Sequence, residues 1–367
     1  MTALTARIPA LLRPAALTTV LLYAVSFAVA LTLAAALVTL SGHSMPDTVY
    51  ALYQGSLEGG GSIGLTIDEA APLLLVALGA IVCARAGIFN IGQEGQVLIG
   101  AMGGAAVGLF VPGPGWLVMV LSLLGAAAAG AVWAGVPAVL FYWRRVDVVI
   151  STLLMVFIAA QVAMFTVNQE NLLQEAGEAG ARTAQSDPLP EGVLLPRAGE
   201  YPDINVTYGV FVVAALTLAT ILMLRYTTWG FRLRMLGHNP AAARRSGVRA
   251  SALGGGALLI SGAFAGLAGG IMLSGSVGRF QPGMADNVGW EGLLVALVAR
   301  NHPVAAIPIA LFFGGLRAGG GFLASTGVPR YLVSVVTALL VMAAVFPTAY
   351  TELNKLRKSR RPATAEG

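Results

Sequence analysis

Asn90, Gln93, Glu94 and Gln96 crowd into residues 87–101, GIFNIGQEGQVLIGA, between two long apolar runs. A carboxylate among three carboxamides can bind the hydroxyls or ring edges of a polar cargo, cap a helix start, or carry a proton. The set has a second copy. Residues 90–98 read NIGQEGQVL and residues 287–295 read NVGWEGLLV, with Asn, Gly, Glu and Gly at the same offsets. Asn287, Trp290 and Glu291 are thereby placed beside the first set as candidates. A lone carboxylate in a spanning helix costs about 2.5–3.5 kcal/mol on insertion scales, and non-helical backbone cannot face lipid. Such a stretch is tolerated where it is buried in protein or lines a wet cavity. In transporter folds, paired repeats with interrupted helices mark sites near the bilayer midplane. The same letters also fit a short interfacial loop whose carboxylate caps the next helix. Cargo contact and a structural pivot or cap are both open readings, and Glu94 or Glu291 as a proton carrier is a third.

The elements that position these residues are apolar. Of 367 residues, 57% are hydrophobic and 11% charged, with a mean hydropathy of +0.79, against roughly 25% charged in a soluble domain. This is the composition of a polytopic membrane protein. The net charge of +5 lies at the ends of apolar runs and in one loop, as cytoplasmic flanks do, so nucleic acid is not an expected partner and membrane lipid is. Cys83 is the one cysteine, which excludes an internal disulfide and a cysteine metal cluster. No metal site is expected. The lysines are Lys355 and Lys358, so no G-x-x-x-x-G-K-[ST] phosphate loop exists.

A spanning helix needs about 20 mainly apolar residues. Clear segments run near 17–40, 67–84, 116–142, 147–168, 206–226, 252–274, 303–322 and 330–347, with interrupted ones near 88–111 and 288–299. The first is too long for the apolar core of a cleaved signal peptide, about 7–15 residues. The expected fold is an all-α integral membrane protein of about ten transmembrane helices in two related halves. Arg7, Arg13, Arg85, Arg144, Arg145, the arginines from Arg225 to Arg249 and the tail 351–367 then share the cytoplasmic side with both termini. The acidic loop 169–205 falls outside. Arg279, Arg317 and Arg330 do not fit this scheme.

The longest polar stretch on the basic side is 226–251, YTTWGFRLRMLGHNPAAARRSGVRAS. Asn239 followed by Pro240 reads as an N-cap and first-turn proline. The three alanines favour helix, Arg244 and Arg245 suit its C-terminal end, and Gly247 ends it. A short helix held out from the membrane points to docking of a cytoplasmic partner, since enforcing topology needs charge but no helix.

These residues resemble the permease subunits of bacterial ABC importers of the simple-sugar and nucleoside group. The resemblance rests on Asn90-Ile-Gly-Gln-Glu94-Gly-Gln96 with Gly100-Ala101, on Gly237-His238-Asn239-Pro240-Ala-Ala with Ser246-Gly247, on SGAFAGLAGGIMLSG (261–275) and on GWEGLLVALVARNHP (289–303). It runs from about residue 65 to 347 and looks more like the nucleoside branch than the ribose-type branch, which usually carries Asp-Leu-Ser-Val-Gly at the first motif. Ala299 stands where the family commonly has Gly, and Trp290 and Glu291 occupy a variable pair.

The resemblance implies one permease domain, 1–350, with a coupling segment at 227–250 and a basic cytoplasmic tail at 351–367. It implies a bacterial inner-membrane subunit that forms the pathway for nucleosides and binds no cofactor itself. ATP is held by separate cytoplasmic ATP-binding subunits; a second permease, identical or homologous, and an extracytoplasmic substrate-binding lipoprotein complete the importer. Gly237, His238, Asn239, Pro240, Arg244, Arg245 and Gly247 are then ATPase-coupling residues. Phe89 and Trp290 are candidates to stack on a base, and Asn90, Gln93, Glu94, Gln96, Asn287 and Glu291 are the polar pathway candidates. The alternative cargo is a simple sugar such as ribose or galactose. An ion-coupled secondary transporter also suits repeats and broken helices, but has no use for a docking helix. An enzyme is disfavoured: Gly60-Gly-Ser62-Ile-Gly64 matches the G-x-S-x-G pattern, which needs a strand-to-helix elbow and a histidine.

Overall fold

The computed structural model describes residues 14–42, 44–176 and 183–325, together with 335–336, 338–339, 342–343, 345–347 and 350. Half of the expected span 330–347 lies outside these residues, and the tail 351–367 wholly so. The helices are α1 (Pro14–Leu40), α2 (Met45–Leu57), α3 (Gly59–Arg85), α4 (Gln93–Phe110), α5 (Gly115–Arg144), α6 (Val148–Val167), α7 (Gly209–Tyr226), α8 (Thr228–His238), α9 (Pro240–Arg245), α10 (Ala250–Met272), α11 (Val288–Val298) and α12 (Pro303–Ser325). Among the described residues, seven helices are long and apolar enough to cross a membrane. α4 has the length, but Gln93, Glu94 and Gln96 make its first turn polar. α11 is apolar but has 11 residues, about 16 Å of helix.

The chain forms two compact units, Met1–Gly55 with Gly319–Gly367, and Ser56–Ala318. In the first, Ala30, Ala34 and Val38 make a buried stripe along α1 at the i, i+4 spacing of one helix face. There α2 packs on the end of α12, with Gly55 against Phe322 and Gly319 against Leu52. α2 is an element the apolar pattern does not announce.

The second unit is built around α3 and α10. From Ala70 to Cys83, α3 is almost wholly buried. On α5 the buried residues Val118, Ser122, Ala126, Gly130, Ala134 and Ala138 recur every fourth position. They face Gly262, Gly266 and Gly270 of α10, so closely that a Cβ at Gly130 or Gly266 would overlap the opposing backbone. Gly100 of α4 meets the same Gly266. Helices in lipid gain little from hydrophobic burial against each other, and small residues let their backbones pack.

α3 defines two ends. At one, Gly60 lies against Asp203 and Gly64 against Asn205. At the other, Arg85 donates to the Asn301 carbonyl at 2.9 Å and Gly87 lies against Gly237. At the first end the acidic loop is fastened down. Its strands β1 (Arg197–Ala198) and β2 (Val206–Thr207) pair antiparallel. Asp68 accepts from the Thr207 N–H at 2.8 Å and its hydroxyl at 2.9 Å. Ser186 and Phe280 exchange two bonds, and Leu189 and Leu195 donate to the Gly278 and Ser274 carbonyls. Ser62 lies in the first turn of α3. Its G-x-S-x-G match is helical throughout and forms no strand-to-helix elbow.

Candidate functional site

The two polar copies meet inside the second unit, each at the start of a helix. Residues 86–92 turn the chain back from the end of α3, and α4 begins at Gln93. Gln93 donates to the Val76 carbonyl at 2.8 Å and to Ser261 Oγ at 3.2 Å. Val76 stands about 14 Å up α3 from Arg85, so α4 starts well within the bundle. It then rises to the acidic-loop end, where Gly108 meets Leu189 and Val193. α11 starts at the same level, with Gly292 on Val76, and runs the other way, towards Asn301 at the basic end. Two helices thus leave one junction in opposite directions, their N-termini together.

Within the first copy the side chains close on one another. Asn90 Nδ2 donates to Gln96 Oε1 and to Ser261 Oγ, both at 3.0 Å. Asn90 Oδ1 accepts from the Gly92 N–H at 3.0 Å and from Gln96 Nε2 at 3.3 Å. Asn90, Gln93 and Gln96 are all buried. Buried carboxamides demand such partners, and here most of them come from the copy itself and from α10.

Glu94 reaches the other copy. Its Oε1 accepts from the Asn287 N–H at 3.0 Å and its Oε2 from the Gly289 N–H at 2.7 Å. The carboxylate therefore caps the N-terminus of α11, where free N–H groups and the helix dipole favour negative charge. Gly289 makes this possible, since a Cβ there would overlap the backbone of Glu94. Asn287, the counterpart of Asn90, is exposed and left-handed at φ 65°.

Glu291, the counterpart of Glu94, pairs instead with Arg317 of α12 at 3.2 Å. The same guanidinium binds Glu69 of α3 at 3.0 Å and Asp286 at 2.9 Å, and donates to the Asp286 carbonyl at 3.0 Å. One guanidinium thus gathers three carboxylates from three segments. Phe89 is more than a third exposed, and Trp290 is half-buried.

At the basic end, α9 stands out with every residue exposed except Ala243. Asn239 Oδ1 accepts from the N–H groups of Ala241 at 3.1 Å and Ala242 at 3.0 Å, with Pro240 in the first turn. Gly247 closes the helix at φ 79°, with its N–H on the Arg244 carbonyl and that of Val248 on Ala243. Arg244 and Arg245 lie exposed in the last turn. His238 Nδ1 lies 2.8 Å from the Arg234 carbonyl oxygen. Gly237 packs against the Arg85 carbonyl and Gly87, three residues before Asn90, so α8 joins the exposed helix to the turn that leads into α4.

The family described as "Branched-chain amino acid transport system / permease component" matches residues 63–345. The chain belongs to it. The permease is 34% identical over 293 residues to the glucose ABC transporter permease protein TsgB13 of Haloferax volcanii, covering 76% of this chain and 75% of that one. It is 31% identical over 315 residues to the guanosine ABC transporter permease protein NupP of Bacillus subtilis, covering 84% and 88%. It is also 31% identical over 259 residues to the guanosine ABC transporter permease protein NupQ of the same organism, covering 68% and 78%. No solved structure matches it. The permease is a multi-pass membrane subunit of an ABC importer.

Three charged residues that matter to the permease's geometry escape a reading of motifs. Glu69 and Asp68 lie at the edge of the apolar run 67–84, and Arg317 inside 303–322. Their one sequence signal is charge in an apolar helix. Of the three arginines that do not fit the topology scheme, two find carboxylates, Arg317 in this cluster and Arg279 beside Glu175 at 3.5 Å, and Arg330 lies outside the described residues. Glu175 also accepts from Thr183 and Gln185, and these bonds, helped by Arg279, hold its carboxyl below the usual carboxylate range.

Proposed function

We propose that this permease imports nucleosides, pairs with a second, non-identical permease, and is driven by cytoplasmic ATP-binding subunits that dock on α9. The observation that carries the cargo is similarity at 31% identity to both NupP and NupQ, two different guanosine permeases of one organism, joined to the Asn-Ile-Gly-Gln-Glu-Gly form of the first motif. Two such relatives in one organism also favour a heterodimer. The basic end faces the cytoplasm, by the positive-inside rule, and a substrate-binding lipoprotein delivers cargo at the acidic-loop end.

The mechanism is alternating access. Closure of the ATPase pair moves Asn239, Pro240, Arg244 and Arg245, with Gly247 ending the rigid unit. The movement passes through His238 and Gly237 to Gly87 and the turn 86–92, and from there to the facing starts of α4 and α11. Phe89, Asn287, Trp290 and Glu291 are the members of the two copies that meet cargo, while Asn90, Gln93, Glu94 and Gln96, bonded to one another, to Ser261 and to the start of α11, form the pivot.

The second reading is a glucose-like sugar, favoured by the 34% identity to TsgB13. Uptake of labelled guanosine in cells with and without this gene, competed by unlabelled nucleosides, glucose, ribose and galactose, separates the two. Gene-dependent uptake blocked by nucleosides alone supports the first reading. Guanosine uptake that ignores the gene, with labelled glucose uptake that requires it, moves the cargo to sugars.

A further inference from the structure

The peptide unit joining Asp286 to Asn287 is gripped from both sides. Its carbonyl accepts from Arg317 Nη1 at 3.0 Å, and its N–H donates to Glu94 Oε1 at 3.0 Å. Both residues are left-handed, at φ 42° and 65°, a region that side chains other than glycine rarely adopt. Such backbone persists where its surroundings hold it. α11 begins at the next residue, Val288, so the state of this one turn sets where that helix starts.

Arg317 is the larger part of the grip. Its other bonds run to the carboxylates of Glu69, Asp286 and Glu291. A guanidinium in an otherwise apolar helix is costlier to insert than any apolar residue, and a buried ion network is weak evidence of added stability. What the network supplies is one arrangement of α3, α11, α12 and the 286–287 turn. It is also partly exposed: the side chain of Asp286 is 71% exposed and that of Glu69 31%, against 14% for Arg317. Water can therefore replace these carboxylates without stripping the guanidinium bare.

We infer that Arg317 is a positioning residue for translocation: it holds the 286–287 peptide left-handed and so fixes the start of α11, and loosening of this grip is what lets α11 move. The inference takes its transport readout from the importer reading above. Its test is a double-mutant cycle on the assembled importer in liposomes, measuring ATP-driven uptake of labelled guanosine and ATP hydrolysis stimulated by the binding protein. Arg317→Gln is expected to lower uptake about tenfold, within the usual range of coupling between sites. In an Asn287→Gly background one of the two left-handed residues no longer needs holding, and the same substitution should cost about threefold or less, a coupling expected of groups that share one structural element.

Equal losses in the two backgrounds would overturn the inference, because Arg317 would then act independently of the turn. Arg317→Lys keeps the charge but not the fork that reaches a carbonyl and three carboxylates together, so it should also lose uptake; full activity of Arg317→Lys would overturn the inference as well. If the Gln variant does not assemble, the cycle is run with Lys under the same criterion. If the unaltered importer moves no guanosine, the cargo proposal fails, and the cycle is read on stimulated ATP hydrolysis alone.

Discussion

The two copies of the polar motif share their letters and differ in almost everything those letters do. In the first, Asn90 is buried and bonded to its own copy and to Ser261. In the second, the matching Asn287 is exposed and holds a left-handed turn. Glu94 leaves its own copy to cap the helix of the other, whereas Glu291 turns to Arg317. One copy is a closed knot of carboxamides and the other a strained turn kept in place by charges from outside it. A repeat therefore fixes where two helices begin, and the neighbours decide which copy is rigid and which is held.

The two copies depend most on the interlock between them. Gly289→Val puts a side chain where the Glu94 backbone lies. Overpacking of this kind costs about 1–3 kcal/mol and sometimes more, and the expected result is loss of assembled permease, scored by yield and thermal melting in detergent. Gly92 is the matching glycine of the first copy, and a Cβ there would come within 2.7 Å of the Thr152 carbonyl oxygen. Gly92→Ala should be the milder change, lowering the melting temperature without preventing assembly.

Next in size is the contrast between the asparagines. Asn90→Ala strands the Gly92 N–H and Gln96 in a buried place, at about 1–3 kcal/mol. Asn287→Gly removes a side chain from a left-handed residue and should leave the melting temperature level or slightly raised. Equal destabilisation at the two positions would contradict the division into a closed copy and a held one.

A smaller effect is expected at the cap. Glu94→Gln keeps the shape but loses the charge facing the α11 N-terminus, worth about 0.3–1 kcal/mol and up to about 2 where partly buried. It should appear as a modest fall in melting temperature and faster hydrogen exchange at the first turn of α11.

The smallest lies in the acidic loop. Bonds from Thr183 and Gln185 lower the Glu175 pKa, so the attachment they provide is fully present above the unfolded carboxylate value of about 4.3 and fades as pH falls through the lower folded value. Limited proteolysis of the loop should quicken only in that acidic window. Glu175→Gln should remove the pH step.

Much of this was legible in the chain itself. The Asn239 cap, the first-turn Pro240 and the Gly247 stop are local chemistry, and α9 forms where they place it. The apolar runs became helices because burial or lipid is the one environment that suits them. What escaped depends on distant partners. Gly60 and Gly64 are helical, and they are glycines because a Cβ would come within 2.6 Å of Asp203 and 2.7 Å of Asn205; close packing, with no need for a turn, accounts for them. Arg317 and Glu69 are 248 residues apart in the chain, and no local pattern joins them. Nor could spacing show that Glu94 would serve the second copy while Glu291 served α12.

In the proposed mechanism, movement enters at α9 and reaches the facing helix starts through Gly237 and Gly87. Its most direct test is guanosine uptake and ATP hydrolysis measured side by side on the assembled importer carrying Asn239→Ala with Pro240→Ala. Nucleoside moved per ATP hydrolysed is expected to fall steeply while cargo binding to the external protein is unchanged. An unaltered transport ratio would contradict it.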